Sequence, residues 1–383
     1  MKIAINTRLL INQKMEGIQW FTFETFKRIT QAHPEHTFYF IFDRPFQKEF
    51  IFSPNVKPLI LSPQARHPFL FYIWFHLRIP QLLKKYDIDV FVSPDGFLPL
   101  KSKVPSLAVI HDINFEHQTK GIPFFAAKYY KHYFPKYALI ASKIATVSKY
   151  SKNDIIKTYN IVPSKISVVY NGINESFGPI SETEKVAVRE KYTEGNPYFI
   201  FVGSLHPRKN LCNLLKAFDE YKKTDQTNTR LLVIGSKLFK TSKIFKTYNE
   251  MSYRDNVHFH GHLFADELHA VLAAAKALTF VSFFEGFGIP IVEAFACETP
   301  VITSNISSMP EIAGDAALLI NPHSIEKIQQ ALQEIEDETL RKKLIEKGNK
   351  QKMKFSWNKT AEKLWEDIEG LFPVNKKNKN RNL

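Results

Sequence analysis

Ser282-Phe283-Phe284-Glu285-Gly286-Phe287-Gly288-Ile289-Pro290-Ile291-Val292-Glu293-Ala294-Phe295-Ala296 is the stretch from which the fold of this chain can be read. The apolar run Leu278–Val281 before it has the length and composition of a buried strand. Gly286 and Gly288 then supply a turn through which backbone N–H groups can approach an anion. Pro290 suits the first turn of a helix, and the free N–H groups of a helix start are a place for phosphate. Glu285 stands at the mouth of the turn and Glu293 about two helical turns further on. Carboxylates beside a phosphate position accept hydrogen bonds from hydroxyls, which points to sugar or ribose. The alternative for these residues alone is a buried strand–turn–helix with a glutamate on each side.

The same unit recurs outward in both directions. Lys2–Asn6, Thr37–Phe42, Val90–Ser93, Ser106–His111, Ile144–Val147 and Ile166–Tyr170 read as strands, with helical spacing in Trp20–Thr30 and Tyr150–Tyr159. The pattern restarts with Phe199–Val202, Leu231–Ile234, Val257–His260, Leu278–Val281, Val301–Thr303 and Leu318–Ile320. Leu211–Lys223, Ala265–Ala275 and Ser324–Glu336 are the helices between them. Alternating strand and helix implies parallel sheets covered on both faces, so the expected class is α/β with two Rossmann-like, doubly wound domains. A chain of 383 residues is long enough for two. The expected divisions are 1–172, 173–355, a C-terminal helix at 356–372 packing back on the first domain, and a basic tail at 373–383. Gly172–Pro197, polar and broken by glycine and proline, reads as the connection and contains one short helix, Ser181–Tyr192.

Composition excludes several classes. With 44% hydrophobic residues the chain can build cores and is not disordered. Two widely spaced cysteines, Cys212 and Cys297, make neither a disulfide framework nor a zinc site. No apolar run approaches the length of a membrane span, and residues 1–10 lack the features of a signal peptide. The expectation is a cytoplasmic protein. The formal charge of +14 calls for an anionic partner, and it is unevenly placed. Residues 1–170 hold 23 Lys/Arg against 11 Asp/Glu, whereas residues 171–383 hold 29 against 27.

The glycine-turn stretch resembles the retaining nucleotide-sugar glycosyltransferases of family 4, also known as group 1. Their GT-B fold has two Rossmann-like domains facing a cleft, and their motif of Glu, seven residues, Glu runs here from Glu285 to Glu293. The resemblance implies that Glu285 lies at the donor sugar, that Glu293 holds the ribose, and that Gly286, Phe287, Gly288 and Ile289 line the donor site. Gly203-Ser204-Leu205-His206-Pro207-Arg208-Lys209-Asn210 resembles the family's diphosphate loop. Many relatives place an arginine directly after the glycine. Ser204 stands there here, so Arg208 would supply that contact, with Lys209 adding a point charge. Gly261, His262 and Leu263 resemble the loop that holds the base. His111, at a strand end, resembles the histidine that reaches the donor sugar. Gly17 is the single glycine where many relatives have a glycine-rich turn. Glu298 stands where a glycine is usual, which predicts a strained turn.

The function implied is transfer of a hexose, of mannose or rhamnose type, from a nucleotide diphosphate sugar to a hydroxyl with retention. The expected acceptor is a saccharide or lipid-linked molecule of bacterial surface polysaccharide synthesis, held by the first domain. Glu285, His111, Arg208 and Lys209 would carry the reaction with no metal and no cofactor, because the two cations can stabilise charge developing on the diphosphate. Two glutamates also suit a hydrolase pair, but the ribose role of Glu293 argues against that. The alternative of the same architecture is a nucleotide-sugar 2-epimerase. No zinc finger, RNP motif or continuous basic helix supports nucleic-acid binding. The basic first half instead interleaves aromatics with cations at 67–78 and 123–136, which suits either a Rossmann-type core or an anionic membrane surface touched from the cytoplasmic side.

Overall fold

The computed structural model describes residues 1–11, 15, 17–118, 121–236 and 241–372. The chain divides into two compact units. Unit 1 is Met1–Gly172 with the segment that begins at Ser356, and unit 2 is Ile173–Phe355. The expected basic tail at 373–383 lies outside the described residues.

Unit 1 contains a seven-stranded, wholly parallel sheet. Its strands are β1 (Lys2–Asn6), β2 (Thr37–Phe42), β3 (Val56–Ile60), β4 (Val90–Ser93), β5 (Ser106–Val109), β6 (Lys143–Thr146) and β7 (Ile166–Val168). They lie in the order β3-β2-β1-β4-β5-β6-β7. Unit 2 contains β8 (Tyr198–Val202), β9 (Arg230–Ile234), β10 (Val257–His260), β11 (Ala277–Phe280), β12 (Val301–Ser304) and β13 (Ala317–Ile320), in the order β10-β9-β8-β11-β12-β13. Both are doubly wound sheets: the order reverses between β1 and β4 in one and between β8 and β11 in the other. Connections leaving the two strands at a reversal run to opposite faces, so a crevice opens at their carboxyl ends.

The central strands are buried on both faces because both are covered by helices. Tyr198–Val202 and Ala277–Phe280 are buried throughout. The reading from sequence missed β3. That strand carries Pro58, which cannot donate to a ladder, and β3 tolerates it by sitting at the sheet edge, paired with β2 alone. The expected strand Ser106–His111 is shorter in the structure: β5 stops at Val109, which leaves His111 in the loop beyond.

Gly172–Pro197 is more than a connection. From Ile173 it belongs to unit 2, where its helix Glu182–Thr193 starts in a capping box formed by Ser181 and Glu184. Lys191 pairs with Glu267 at 2.7 Å, and His269 Nε2 lies 2.6 Å from the Gly178 carbonyl, so the segment is pinned to the helix Ala265–Ala273. The helix Trp357–Glu369 packs in unit 1 against the helix Gly17–Ala32. Trp365 stacks on His33 with ring centroids 3.7 Å apart, Thr360 Oγ1 donates to the Tyr170 carbonyl at 2.6 Å, and Ser167 hydrogen-bonds Asp367.

The two aromatic–basic stretches are partly core and partly exposed. In the first, Phe71, Trp74 and Phe75 enter the core, and the Trp74 indole donates to the Leu61 carbonyl at 2.7 Å. Phe69 is 67% exposed, and at the start of the helix Phe124–Ile140 Phe124 and Phe125 are 73% and 69% exposed. No helix of the described residues is long and apolar enough to cross a membrane.

Candidate donor site

In unit 2 the loops after β8 and β11 leave neighbouring strands at the reversal of strand order. The first carries Gly203–Asn210 and ends in a single tight turn, Pro207–Lys209. Asn210, in the left-handed region with φ 61°, closes that turn and starts the helix Leu211–Lys222. Its buried amide donates to the Val281 carbonyl at 2.9 Å and the Pro322 carbonyl at 2.8 Å. The Phe283 N–H donates to the Arg208 carbonyl at 2.8 Å. These contacts tie the two loops together and place Arg208 and Lys209 beside the glycine turn.

Glu285 is the centre of the cluster and is 7% exposed. Its carboxylate lies 2.7 Å from Arg208 Nη1 and 2.8 Å from Lys209 Nζ. Arg208 Nη1 also donates to the Phe284 carbonyl at 2.5 Å, and the Lys209 ammonium sits 4.8 Å over the Phe280 ring. Burial pushes the Glu285 carboxyl up, but the two cations more than offset it and hold the group down at about 2. Glu285 is therefore ionised across the physiological range. Burial lowers His206, and the same two cations lower it further; its ring accepts from the Arg208 N–H at 3.1 Å.

Two residues that the sequence reading gave no role hold Glu285 from behind. Ser307 Oγ accepts from the Glu285 N–H at 3.0 Å and donates to the Glu285 carbonyl at 2.6 Å. Ser308 Oγ lies 2.9 Å from both the Glu285 and the Phe287 carbonyls. Both serines follow β12, more than twenty residues from Glu285, so only the parallel pairing of β11 with β12 brings them there. Gly288 caps the helix Ile289–Ala296 at φ 106°, a conformation that favours glycine.

Glu293 lies on that helix, half-buried, and is governed differently. Burial alone pushes its carboxyl up to about 7. One glutamate is thus held charged by cations and the other is poised between charged and neutral.

The remaining sequence-read positions fall into two groups. Gly203 stands at the end of β8, and a Cβ on Gly235, after β9, would sit 2.0 Å from the Gly203 carbonyl oxygen. The Gly235 N–H reaches the carbonyls of His260 and Gly261, each at 3.2 Å. The Gly203–Asn210 loop and the Gly261-His262-Leu263 loop are therefore linked through Gly235 at the carboxyl ends of β8, β9 and β10. Leu263 is buried, while His262 is exposed and packs edge-on to Phe264 at 5.6 Å. Gly17 and His111 belong to unit 1. Gly17 opens the helix Gly17–Ala32, and His111 follows β5. Among the described residues, no three His, Cys, Asp or Glu side chains gather as metal ligands.

Two family models tile the chain. "Glycosyltransferase Family 4" matches residues 16–177 and "Glycosyl transferases group 1" matches residues 182–351. The chain belongs to this glycosyltransferase family. It is similar to O-antigen chain mannosyltransferase B of Escherichia coli, 27% identical over 277 residues covering 72% of each chain. It is also similar to O-antigen chain mannosyltransferase RfbU of Salmonella typhimurium, 29% identical over 287 residues covering 74% of this chain and 75% of that one. The solved structure of WaaG, a glycosyltransferase involved in lipopolysaccharide biosynthesis, aligns with a TM-score of 0.73 over 96% of this chain and all of that one, at 19% identity. Anabaena HepE in complex with UDP and glucose aligns with a TM-score of 0.74 over 97% of this chain and all of that one, at 15% identity. This glycosyltransferase thus has the GT-B fold.

Proposed function

We propose that this glycosyltransferase moves a hexose, of mannose or rhamnose type, from a nucleotide diphosphate sugar to a saccharide or lipid-linked hydroxyl, with retention and without a metal. The mannosyltransferase relatives support the hexose and the surface-polysaccharide setting; they lend nothing to the epimerase alternative. The observation that carries the reading is the meeting of Arg208, Lys209 and Glu285 at the reversal of strand order in unit 2.

In the proposed reaction the diphosphate occupies the Gly203–Lys209 loop. The bond from the anomeric carbon to the diphosphate oxygen breaks, and Arg208 and Lys209 stabilise the charge that collects there. The acceptor oxygen bonds to the same face of the anomeric carbon, and its proton passes to the departing phosphate oxygen. Glu285, ionised and fixed by Ser307 and Ser308, accepts hydrogen bonds from the donor sugar. Glu293 accepts from the ribose, and the backbone around Gly286–Ile289 and Gly261–Leu263 lines the sugar and the base. In unit 1, the proposed acceptor-binding part, His111 meets a substrate hydroxyl.

Incubation with GDP-, UDP- and dTDP-sugars, read by nucleoside diphosphate release and by the anomeric configuration of the product, tests the reading. Glu285→Gln and Lys209→Ala should each cut turnover by roughly a hundredfold or more in a folded protein. Near-normal turnover in both would overturn it.

The anionic membrane contact on the cytoplasmic side belongs to the same proposal. It is supported by Phe69, Phe124 and Phe125 standing exposed in the half that holds 23 cationic against 11 anionic side chains.

A further inference from the structure

The reversal of strand order in unit 1 holds a buried ion pair to which the sequence reading assigned nothing. Arg8 lies two residues beyond β1 and Asp95 two residues beyond β4, and they are 7% and 8% exposed. Arg8 Nε donates to Asp95 Oδ2 at 2.8 Å, and Nη2 lies 2.7 Å from the same oxygen. Nη1 donates to the Ala65 carbonyl at 3.1 Å. The rings of Phe71, Phe75 and Phe97 surround the guanidinium with centroids at 5.3, 5.5 and 5.0 Å. The other carboxylate oxygen, Oδ1, accepts from Asn6 Nδ2 at 2.8 Å, from Ser93 Oγ at 2.9 Å and from the Phe97 N–H at 3.4 Å. Both residues that flank Pro94 are therefore clamped.

Pro94 presents its carbonyl to His111 Nε2 at 2.9 Å. A carbonyl oxygen can only accept, so Nε2 carries the proton of that bond and, in the neutral ring, Nδ1 is a bare acceptor. Burial lowers the His111 pKa from its ordinary value and favours that neutral ring. The Phe21 ring meets the imidazole edge-on at 5.0 Å and fixes its plane.

Stability alone gives weak grounds for such a pair. A buried ion pair loses so much hydration that well-packed apolar residues in its place are often no less stable. Three phenylalanine rings already form an environment that would suit them.

We propose that Arg8 and Asp95 are positioning residues that act through the Pro94 carbonyl to hold His111 as the Nε2–H tautomer, with Nδ1 fixed as an acceptor for a substrate hydroxyl. The inference rests on the reading of the chain as a glycosyltransferase. It assigns His111 a hydrogen-bond donor as partner, a sugar hydroxyl rather than a phosphate oxygen. An analogue deoxygenated at that hydroxyl would lose the contact.

The test is ring-nitrogen NMR on the full chain labelled with 15N-histidine, at neutral pH. One ring, identified by its loss in His111→Ala, should show a protonated Nε2 and a bare Nδ1. The double variant Arg8→Met, Asp95→Leu should melt within a few degrees of the parent, show mixed tautomers at His111, and lose turnover by about tenfold or more, the effect of a 1.4 kcal/mol rise in the barrier. Should it fail to fold, Ser93→Ala leaves the ion pair intact and removes one donor to Asp95. The expected loss is then roughly fivefold, the worth of one hydrogen bond, with a rise in the minor tautomer. A wild-type His111 protonated on Nδ1 overturns the proposal, as does a folded variant that keeps both the tautomer and the turnover. Absence of sugar transfer by the parent protein would instead overturn the proposed function and leave the tautomer result standing.

Discussion

Replacing Glu293 by glutamine should make unit 2 more stable at alkaline pH while weakening its hold on a nucleotide. Burial pushes the Glu293 carboxyl from 4.5 up to about 7. A shift of that size corresponds to about 3.4 kcal/mol of differential stability between the protonated and ionised forms. The sign follows from proton counts. Between 4.5 and 7 the folded state binds more protons than the unfolded state at this group, so stability falls as pH rises through that window and levels off above it. About 2.5 kcal/mol of the fall lies between pH 5 and pH 8. The amide side chain of the variant cannot ionise and carries no such loss. The stability of E293Q relative to the parent should therefore grow by that amount from pH 5 to pH 8. For a unit of this size that is a relative gain of about 5–10 °C in melting temperature. The difference between the two proteins isolates this residue. Glu285, held at about 2, stays charged over the whole range, and His206 titrates in both. The assay is thermal melting of both proteins from pH 5 to 8, with and without GDP and UDP. Parallel pH curves would refute the claim that burial leaves Glu293 uncompensated. Undiminished nucleotide stabilisation of E293Q at pH 8 would refute its ribose role.

Three further outcomes can be checked. Glu298 sits at φ 56°, so Glu298→Gly should raise stability by about 1 kcal/mol in urea unfolding, although the side chain's exposed bond to Asn349 is lost. A Cβ on Gly172 would lie 2.2 Å from the Trp357 nitrogen, so Gly172→Ala should cost about 1–3 kcal/mol and open the helix Trp357–Glu369 to limited proteolysis. Phe124→Ser with Phe125→Ser should cut sedimentation with anionic phospholipid vesicles by roughly tenfold or more, given the apolar surface of two such rings. Unchanged partitioning of that double variant would remove these rings from the contact.

The architecture was legible because its signal is local. Runs such as Phe199–Val202 and Leu231–Ile234 are short, apolar and bounded by breakers, which favours strands buried on both faces, and the breaks between them mark crossovers. β3 was not legible, since a Pro58 that argues against a central strand says nothing about an edge. The residues of the candidate site that meet in the structure were legible where the glycine turn and the Arg208-Lys209 pair are written in sequence. It was not legible where partners come from other strands. Nothing around Ser307 and Ser308 signals that they hold Glu285, and nothing around Arg8 signals that its partner is Asp95, 87 residues away. Such pairs exist only after strand order is set, and strand order depends on which crossovers pack.

The two reversals of strand order place a cation against a carboxylate in both units, and the difference between them follows from what surrounds each pair. In unit 1, Arg8 is enclosed by three phenylalanine rings and a carbonyl, and Asp95 accepts from four partners, so every charge is spoken for and the pair can only hold its neighbours still. In unit 2, among the described residues, the Glu285 carboxylate lies between Arg208 and Lys209 beside a glycine turn. In the proposed reaction these two cations are what an incoming diphosphate would meet. On that proposal the Glu285 carboxylate would keep Arg208 and Lys209 gathered before it arrives, so that they would need little reorganisation when charge develops on the leaving group. It would also compete with the phosphate for both cations. Removing the Glu285 charge should therefore tighten nucleoside diphosphate binding even as it cuts transfer by roughly a hundredfold or more, which separates a residue that serves the reaction from one that merely holds the ligand.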